Sequence, residues 1–259
     1  MKNLRRAALD YDMINPNDHL MVCVSGGKDS ATLLWLLLKL QKKIKATCPF
    51  RITAVHLDQH QPGYDGTPLV EWLEGLSCDY RVVSEDTYSI VMDKTKEGKT
   101  YCSMCSRLRR GILYSFADEI GATKMMLGHH GDDAAETLLL NMIFQGKMSA
   151  MPARYFSTAR GHHVCRPLIY AQEVDIAEYA QAEHFPILPC NLCGSQPEAE
   201  RARTKLLLST FETMNPNARK NMVNAMKDIR PSRKFIFYRS RRGRMACRFF
   251  IHYALNLLT

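Results

Sequence analysis

Hydrophobic positions alternate along the chain between two rhythms. His19 to Val24 is a compact apolar run with β-branched content, which predicts a short buried strand. Ile52 to Leu57, Arg81 to Val83 and Lys124 to Leu127 read the same way. Between these runs the spacing becomes helical. Ala31 to Gln41 carries a leucine stripe, and Leu69 to Leu76, Cys105 to Ile120 and Asp132 to Phe144 follow. Asn3 to Asp12 predicts a short amphipathic helix that ends at the turn-forming Asn15-Pro16-Asn17-Asp18. Strands and helices thus alternate to about residue 170, the order of a parallel sheet covered on both faces. Val174 to His184 and Glu198 to Met226 read as helical only. The organisation expected is an α/β domain over residues 1–170, a helical region over 171–230 and a tail over 231–259. No internal repeat or low-complexity tract interrupts it.

Composition fits that reading. Of the 259 residues 46% are hydrophobic and 24% charged, an ordinary globular balance that excludes a disordered or collagen-like chain. The longest apolar run, Leu33 to Leu38, is far shorter than the ~20 residues a membrane span requires. No apolar stretch of signal-peptide length follows the N-terminal charges, so the 9 cysteines are expected to be thiols or metal ligands in the cytoplasm. No membrane partner is expected.

The formal net charge of +9 is unevenly spread. Arg230 to Thr259 holds eight basic residues and no acidic one, leaving 27 basic against 26 acidic groups elsewhere. The body is therefore nearly neutral. The basic tail is suited to nucleic-acid attraction, and equally to a solvated extension.

The most informative segment is Ser25-Gly26-Gly27-Lys28-Asp29-Ser30, set between a predicted strand and a predicted helix. Glycines let the backbone approach a ligand closely, and the helix start offers free N–H groups to an anion. The hydroxyls of Ser25 and Ser30 and the Lys28 cation add further phosphate donors. The spacing is neither that of a Walker P-loop nor of a G-x-G-x-x-G turn. It resembles the SGGxDS loop of the PP-loop ATP pyrophosphatases, which cleave ATP between the α- and β-phosphates. Those enzymes place AMP on an acceptor oxygen, and a nitrogen or sulfur nucleophile then displaces it.

Two Cys-x-x-Cys pairs, Cys102/Cys105 and Cys190/Cys193, are separated by 84 residues. That gap exceeds a zinc ribbon, so the fold must assemble any shared centre. A closed zinc tetrahedron, a redox dithiol and an iron–sulfur cluster with three protein thiolates all remain open from spacing alone. Cys23, Cys48, Cys78, Cys165 and Cys247 are expected to be core or incidental residues.

Arg107, Arg109 and Arg110 follow the first pair at the start of a helix, where they suit either solvent or a phosphate backbone. Gly128-His129-His130-Gly131-Asp132-Asp133 closes the fourth predicted strand, at the sheet edge where open α/β folds bind ligands. One aspartate is expected to hold Mg²⁺ or serve the acceptor, and the other to cap the next helix. Adjacent histidines on a strand point opposite ways, which argues against a metal shared by His129 and His130.

Taken in order, these segments closely resemble the tRNA 2-thiocytidine synthetases over about residues 4 to 230. The series runs from Val22 to Ser30 through Leu57-Asp58-Gln59, then Glu97 to Thr100 and Ser106 to Tyr114. It continues through Leu127 to Asp133, Leu140 to Met142, Gly146 to Met148, Arg166 to Leu168 and Pro186. Pro189-Cys190-Asn191-Leu192-Cys193-Gly194-Ser195-Gln196 closes it and is highly specific to that family. The resemblance implies a 4Fe-4S cluster held by Cys102, Cys105 and Cys193, with Cys190 uncommitted. Related 2-thiouridine synthetases imply ATP contacts at Val24, Ser30, Leu57, Gly128 and Asp133. A lysine of those relatives is replaced here by Arg109, which keeps the charge but cannot act as a base. The chain departs from the family in a shorter N-terminal helical region and in the basic ending after Pro231-Ser232.

The expectation is an ATP- and Mg²⁺-dependent tRNA sulfurtransferase that adenylates the C2 oxygen of an anticodon-loop cytidine and replaces it with sulfur. Asp133, Asp132 and Arg109 are the candidate catalytic residues. Val24, Ser25, Gly26, Gly27, Lys28, Asp29, Ser30, Leu57 and Gly128 are the candidate nucleotide contacts. A cysteine desulfurase is the expected sulfur source and a homodimer the candidate assembly. The rival readings are another PP-loop RNA-modifying ligase and a zinc-stabilised RNA-binding protein without catalysis.

Overall fold

The computed structural model describes residues 1–94, 102–158, 160–188 and 200–226, without the side chains of 102, 103 and 200–202. Residues Met1–Val223 form one compact unit, and Asn224–Thr259 fall in a second. Cys190, Cys193 and the basic tail lie outside the described residues.

The chain opens with α1 (Lys2–Asp10), β1 (His19–Cys23), α2 (Lys28–Ile44), β2 (Arg51–Asp58), α3 (Thr67–Glu74) and β3 (Asp79–Ser84). Then come α4 (Thr87–Lys94), α5 (Cys102–Glu119), β4 (Lys124–Met126), α6 (Gly131–Gln145), β5 (Arg154–Ser157) and β6 (His162–Cys165). Helices α7 (Glu173–Ala182), α8 (Glu200–Met214) and α9 (Ala218–Ala225) end the described part. Among the described residues, none of these helices is long and apolar enough to cross a membrane.

The six strands form one sheet in the order β3-β2-β1-β4-β6-β5. All neighbours are parallel except β5 and β6, which pair antiparallel at one edge. β1 and β2 read as near-continuous apolar runs because both faces of a central parallel strand are covered. Met21 and Val55 face α5, packing with Tyr114, Ala117, Met125 and Val164. On α2, Ala31 packs with Ala180 of α7 and Phe185, and Trp35, Trp72 and Tyr179 close around them. A third cluster joins Ala135 and Leu139 of α6 to Leu208 of α8.

The predicted α/β class and its parallel centre are present, and four details differ. The β5–β6 hairpin and α4 are additions. The helical stretch predicted over Glu198 to Met226 breaks into α8 and α9 at Asn215-Pro216-Asn217, where the Asn215 side chain accepts the Asn217 N–H. The strand at Arg81 to Val83 extends to Asp79–Ser84.

Candidate functional site

Sheet order reverses between β1 and β4. From β1 the chain crosses to β2 and β3 on one side, and β4 lies on the other. The crevice outside the carboxyl ends of those strands is where such sheets bind ligands. Ser25 to Gly27 lie there, between the end of β1 and the start of α2.

Gly26 has φ +84°, a conformation that favours glycine. Its carbonyl accepts the Leu188 N–H at 2.9 Å, and a Cβ on it would lie 3.1 Å from Leu188 Cβ and Cδ1. Gly27 is extended, at φ −87° and ψ 157°, and among the described residues a Cβ there would meet Ser25 Oγ, at 3.6 Å, and nothing closer. Nothing in the packing of the described residues demands glycine at 27. Ser30 Oγ accepts the Ser25 N–H at 3.0 Å and donates to the Gly27 carbonyl at 2.9 Å. These bonds staple the loop through Ser30 Oγ. Ser25 Oγ, 3.1 Å from Ser30 Oγ, belongs to the exposed side of the turn.

Gly128 follows β4 and backs onto the loop. A Cβ at Gly128 would lie 2.9 Å from Ser30 N and 3.0 Å from the Asp29 carbonyl carbon. Both are backbone atoms of the first turn of α2, so glycine here is a close-approach requirement.

Lys28 Nζ lies 3.2 Å from Glu173 Oε1, at the start of α7, and 3.3 Å from Asp29 Oδ1. Burial opposes the ammonium, but Asp29 and Glu173 outweigh it and raise the Lys28 pKa. Glu173 is itself shared, since Lys205 of α8 reaches its other oxygen at 2.6 Å.

His130 caps α6 and is ringed by carboxylates. Its Nε2 is 3.5 Å from Asp133 Oδ2 and 3.8 Å from Asp29 Oδ1, and its Nδ1 is 3.4 Å from Asp132 Oδ2. Burial works against protonation of the ring, and the three carboxylates overcome it, raising the His130 pKa. Asp133 Oδ2 accepts the His130 N–H at 2.9 Å in a reciprocal capping box. Asp133 is thus the helix-capping aspartate, and it is half-buried beside the loop.

Asp132 is turned inward. Its Oδ1 accepts Arg219 Nη1 at 2.9 Å and its Oδ2 accepts the Glu173 N–H at 2.7 Å. Both oxygens of Asp132, one of the candidate catalytic residues, thus brace α6 against α7 and α9. Burial alone would raise its pKa, yet His130, the Glu173 amide and Arg219 hold it at about 2. Because that pKa is depressed, the brace is intact above the ordinary carboxylate range and is lost as pH falls from about 4 towards 2. Asp132→Ala removes one of the two carboxylates on Arg219, whose Nε also meets Glu212 Oε1 at 2.9 Å, and leaves the Glu173 N–H without its acceptor, so it is expected to destabilise the fold by about 1.5–3 kcal/mol. Thermal melts at neutral pH check this, and an unchanged midpoint would refute the brace.

The first cysteine pair begins α5. Cys105 is 5% exposed and donates from Sγ to Gln59 Oε1 at 3.4 Å. Gln59 directly follows β2, so this thiol stands at the same sheet edge as the loop. Cys102 is one helical turn earlier, and residues three apart share a helix face. Arg109, four residues after Cys105, is half-buried, while Arg107 and Arg110 are exposed. A cysteine thiol in the first turn of a helix, at its positive end, suits the anionic ligand a cluster or a metal needs. Burial pushes the thiol of Cys23 up to about 12 and that of Cys165 up to about 11, as expected of core cysteines.

Among the candidate nucleotide contacts, Val24 is buried and Leu57 half-buried, and both lie at the carboxyl ends of adjacent strands. Three further residues around the site carried no sequence signal, Glu173, Arg219 and His56, while Gln59 stood in the Leu57-Asp58-Gln59 segment with no role assigned. The first two are distant partners of motif residues. His56 sits inside an apolar run and reads as core.

Residues 2–187 match the PP-loop domain family. The tRNA-cytidine(32) 2-sulfurtransferase of Aliivibrio salmonicida (strain LFI1238) is 52% identical over 231 residues, covering 89% of this chain and 75% of that protein. Its counterpart from Chromohalobacter salexigens is 50% identical over 235 residues, covering 89% and 82%. In fold, the chain is similar to the U34-tRNA thiolase NcsA from Methanococcus maripaludis with its 4Fe-4S cluster. The TM-score is 0.67 at 21% identity, over 87% of this chain and 76% of that one. The loop, the sheet edge around it and these relatives together place the chain in the PP-loop proteins and, among them, in the tRNA-cytidine(32) 2-sulfurtransferase family.

Proposed function

We propose that this chain binds ATP on the Ser25 to Ser30 loop, adenylates the C2 oxygen of a tRNA cytidine and exchanges that oxygen for sulfur. The observation that carries the reading is convergence on the loop. Leu188, two residues before Cys190, is hydrogen-bonded to Gly26. Cys105 reaches the end of β2 through Gln59, while Val24, which enters the loop, is bonded to Val55 of the same strand. Cys105 and Leu188 are thus both linked to one phosphate-binding turn.

In this reading the loop amides and the start of α2 hold the β- and γ-phosphates. Lys28 exchanges part of its pairing with Glu173 for the phosphate. Asp29 and Asp133 would hold Mg²⁺, which would neutralise phosphate charge there. Arg109 neutralises charge on the departing groups. The cytidine oxygen attacks the α-phosphorus, the bond to the bridging oxygen breaks, and pyrophosphate leaves. Sulfur at the oxidation level of sulfide then attacks C2, and AMP departs with the former C2 oxygen, so the exchange is redox-neutral. Cys102, Cys105 and Cys193 would hold a 4Fe-4S cluster, which when bound supplies an open iron site for such sulfur. The cytidine must be splayed from a loop, since its edge is out of reach within a helix. Arg233 to Arg248 would contact tRNA phosphates, a homodimer is the proposed assembly, and a cysteine desulfurase would supply the sulfur.

Gly27→Val tests the loop. A Cβ at this position has room among the described residues, so the melting temperature should hold while the added methyls meet the phosphates. ATP affinity should fall at least about 100-fold. Wild-type affinity in this variant would remove the loop from the mechanism.

A further inference from the structure

His56 is 3% exposed near the carboxyl end of β2, and its ring links two parts of the site. Nδ1 lies 2.8 Å from the Val24 carbonyl, and Nε2 lies 2.5 Å from the Tyr64 hydroxyl. The two rings stack at 5.9 Å between centroids, with 22° between their planes. A carbonyl can only accept, so Nδ1 carries the proton, and Nε2 of the neutral ring accepts from Tyr64. Burial favours that neutral ring, lowering the His56 pKa. Burial, with Asp58 and Asp65 nearby, pushes the Tyr64 hydroxyl up to about 12, so it keeps its proton.

The Val24 carbonyl and the Ser25 N–H belong to one planar peptide unit. Fixing the carbonyl therefore fixes the direction of the first N–H of the loop. That N–H donates to Ser30 Oγ at 3.0 Å, and Ser30 Oγ in turn donates to the Gly27 carbonyl at 2.9 Å. The hydrogen bonds thus run in one direction, from the Tyr64 hydroxyl through His56 and the first loop peptide to Ser30 and Gly27. Such a chain polarises along its length. The Val24 N–H is also committed, donating to the Val55 carbonyl at 2.8 Å, so both backbone groups of this residue are held by β2.

Tyr64 is itself placed by its turn. Gly66 lies beneath its ring, where a Cβ would come within 3.1 Å of Tyr64 Cε1 and 3.2 Å of its hydroxyl. On its open side Tyr64 lines a cleft of about 400 Å³ with His56, Asp58 and Thr67.

We propose that Tyr64 and His56 form a positioning relay that sets the geometry of the phosphate loop through the Val24–Ser25 peptide. The proposal rests on the reading of that loop as an ATP site. Neither side chain need touch the reacting atoms. The relay acts on nucleotide affinity, because an untethered Val24 carbonyl lets the loop amides turn away from the phosphates.

The test is the affinity of the full-length protein for α,β-methylene-ATP, whose scissile linkage is blocked, together with steady-state thiolation. His56→Leu keeps an apolar side chain but removes the donor. It should bind the analogue about tenfold more weakly, the effect of about one lost hydrogen bond carried into binding. The KM for ATP should rise by that factor, with kcat at saturating ATP changed less than about twofold. His56→Asn retains an amide donor for Val24 and should recover most of the affinity, which a merely space-filling histidine would not do. Tyr64→Phe loses only a hydroxyl, keeps the ring on Gly66, and should weaken binding about threefold, less than the loss of the direct donor to Val24. It carries the test if His56→Leu fails to fold. Wild-type affinity in both His56→Leu and Tyr64→Phe overturns the relay while leaving the ATP site intact. A wild-type protein that binds no analogue overturns the ATP site itself.

Discussion

Replacing Cys105 with alanine is expected to yield protein that folds, carries no iron–sulfur absorption after anaerobic preparation, and does not thiolate tRNA. Its thiol is buried at the first turn of α5, against Gln59 at the end of β2. In the proposed centre it is one of three thiolates, so its loss leaves two, too few to hold a four-iron cluster with a single open iron. The loss should exceed the ~10–100-fold that removal of a supporting partner around a metal centre costs. Cys102→Ala and Cys193→Ala should behave alike, and Cys190→Ala should retain the cluster. Iron and sulfide analysis beside zinc analysis decides the matter. Stoichiometric zinc without iron in the anaerobic wild-type protein would end the cluster proposal.

Gly128→Ala should damage both fold and site, in contrast to Gly27→Val. A Cβ at Gly128 would approach the backbone of Asp29 and Ser30 at 2.9–3.1 Å, and backbone cannot swing aside as a flexible side chain can. The start of α2 must then shift, taking the loop amides and Lys28 with it. We expect a stability loss of about 1–3 kcal/mol, typical of overpacking. ATP affinity should fall at least about 100-fold. Melting curves and nucleotide binding on the two glycine variants separate the cases. An alanine variant that melts and binds like the wild type would show that α2 and β4 have slack between them.

The parts of this fold that sequence reveals are those governed by local pattern. β1 and β2 are uninterrupted apolar runs because they lie at the centre of a parallel sheet, and the glycine turn between β1 and α2 is contiguous. The β5–β6 hairpin escapes that logic. Arg154-Tyr155-Phe156-Ser157 and His162-His163-Val164-Cys165 form a short pair at the sheet edge rich in aromatics and histidines, such as Phe156 tilted against His163. The site divides in the same way. Ser25 to Ser30 and Gly128 to Asp133 are legible because each is a local strand-to-helix junction. Glu173 beside Lys28 and Arg219 beside Asp132 are not, since they pair across 145 and 87 positions and hydrophobic period carries no record of such partners. Their effect is nevertheless to hold the two adjacent aspartates in different roles within the fold. Asp132 is consumed by the brace and Asp133 remains beside the loop.

The central claim is that one site couples ATP cleavage between the α- and β-phosphates to sulfur insertion at a cytidine. The most direct measurement is a single-turnover reaction of anaerobically prepared protein with tRNA, sulfide and ATP. It should follow AMP, pyrophosphate and 2-thiocytidine together. The account predicts one AMP and one pyrophosphate for each 2-thiocytidine formed, with none of the three when ATP is replaced by α,β-methylene-ATP. Release of ADP and phosphate, or 2-thiocytidine formed without ATP cleavage, would contradict it.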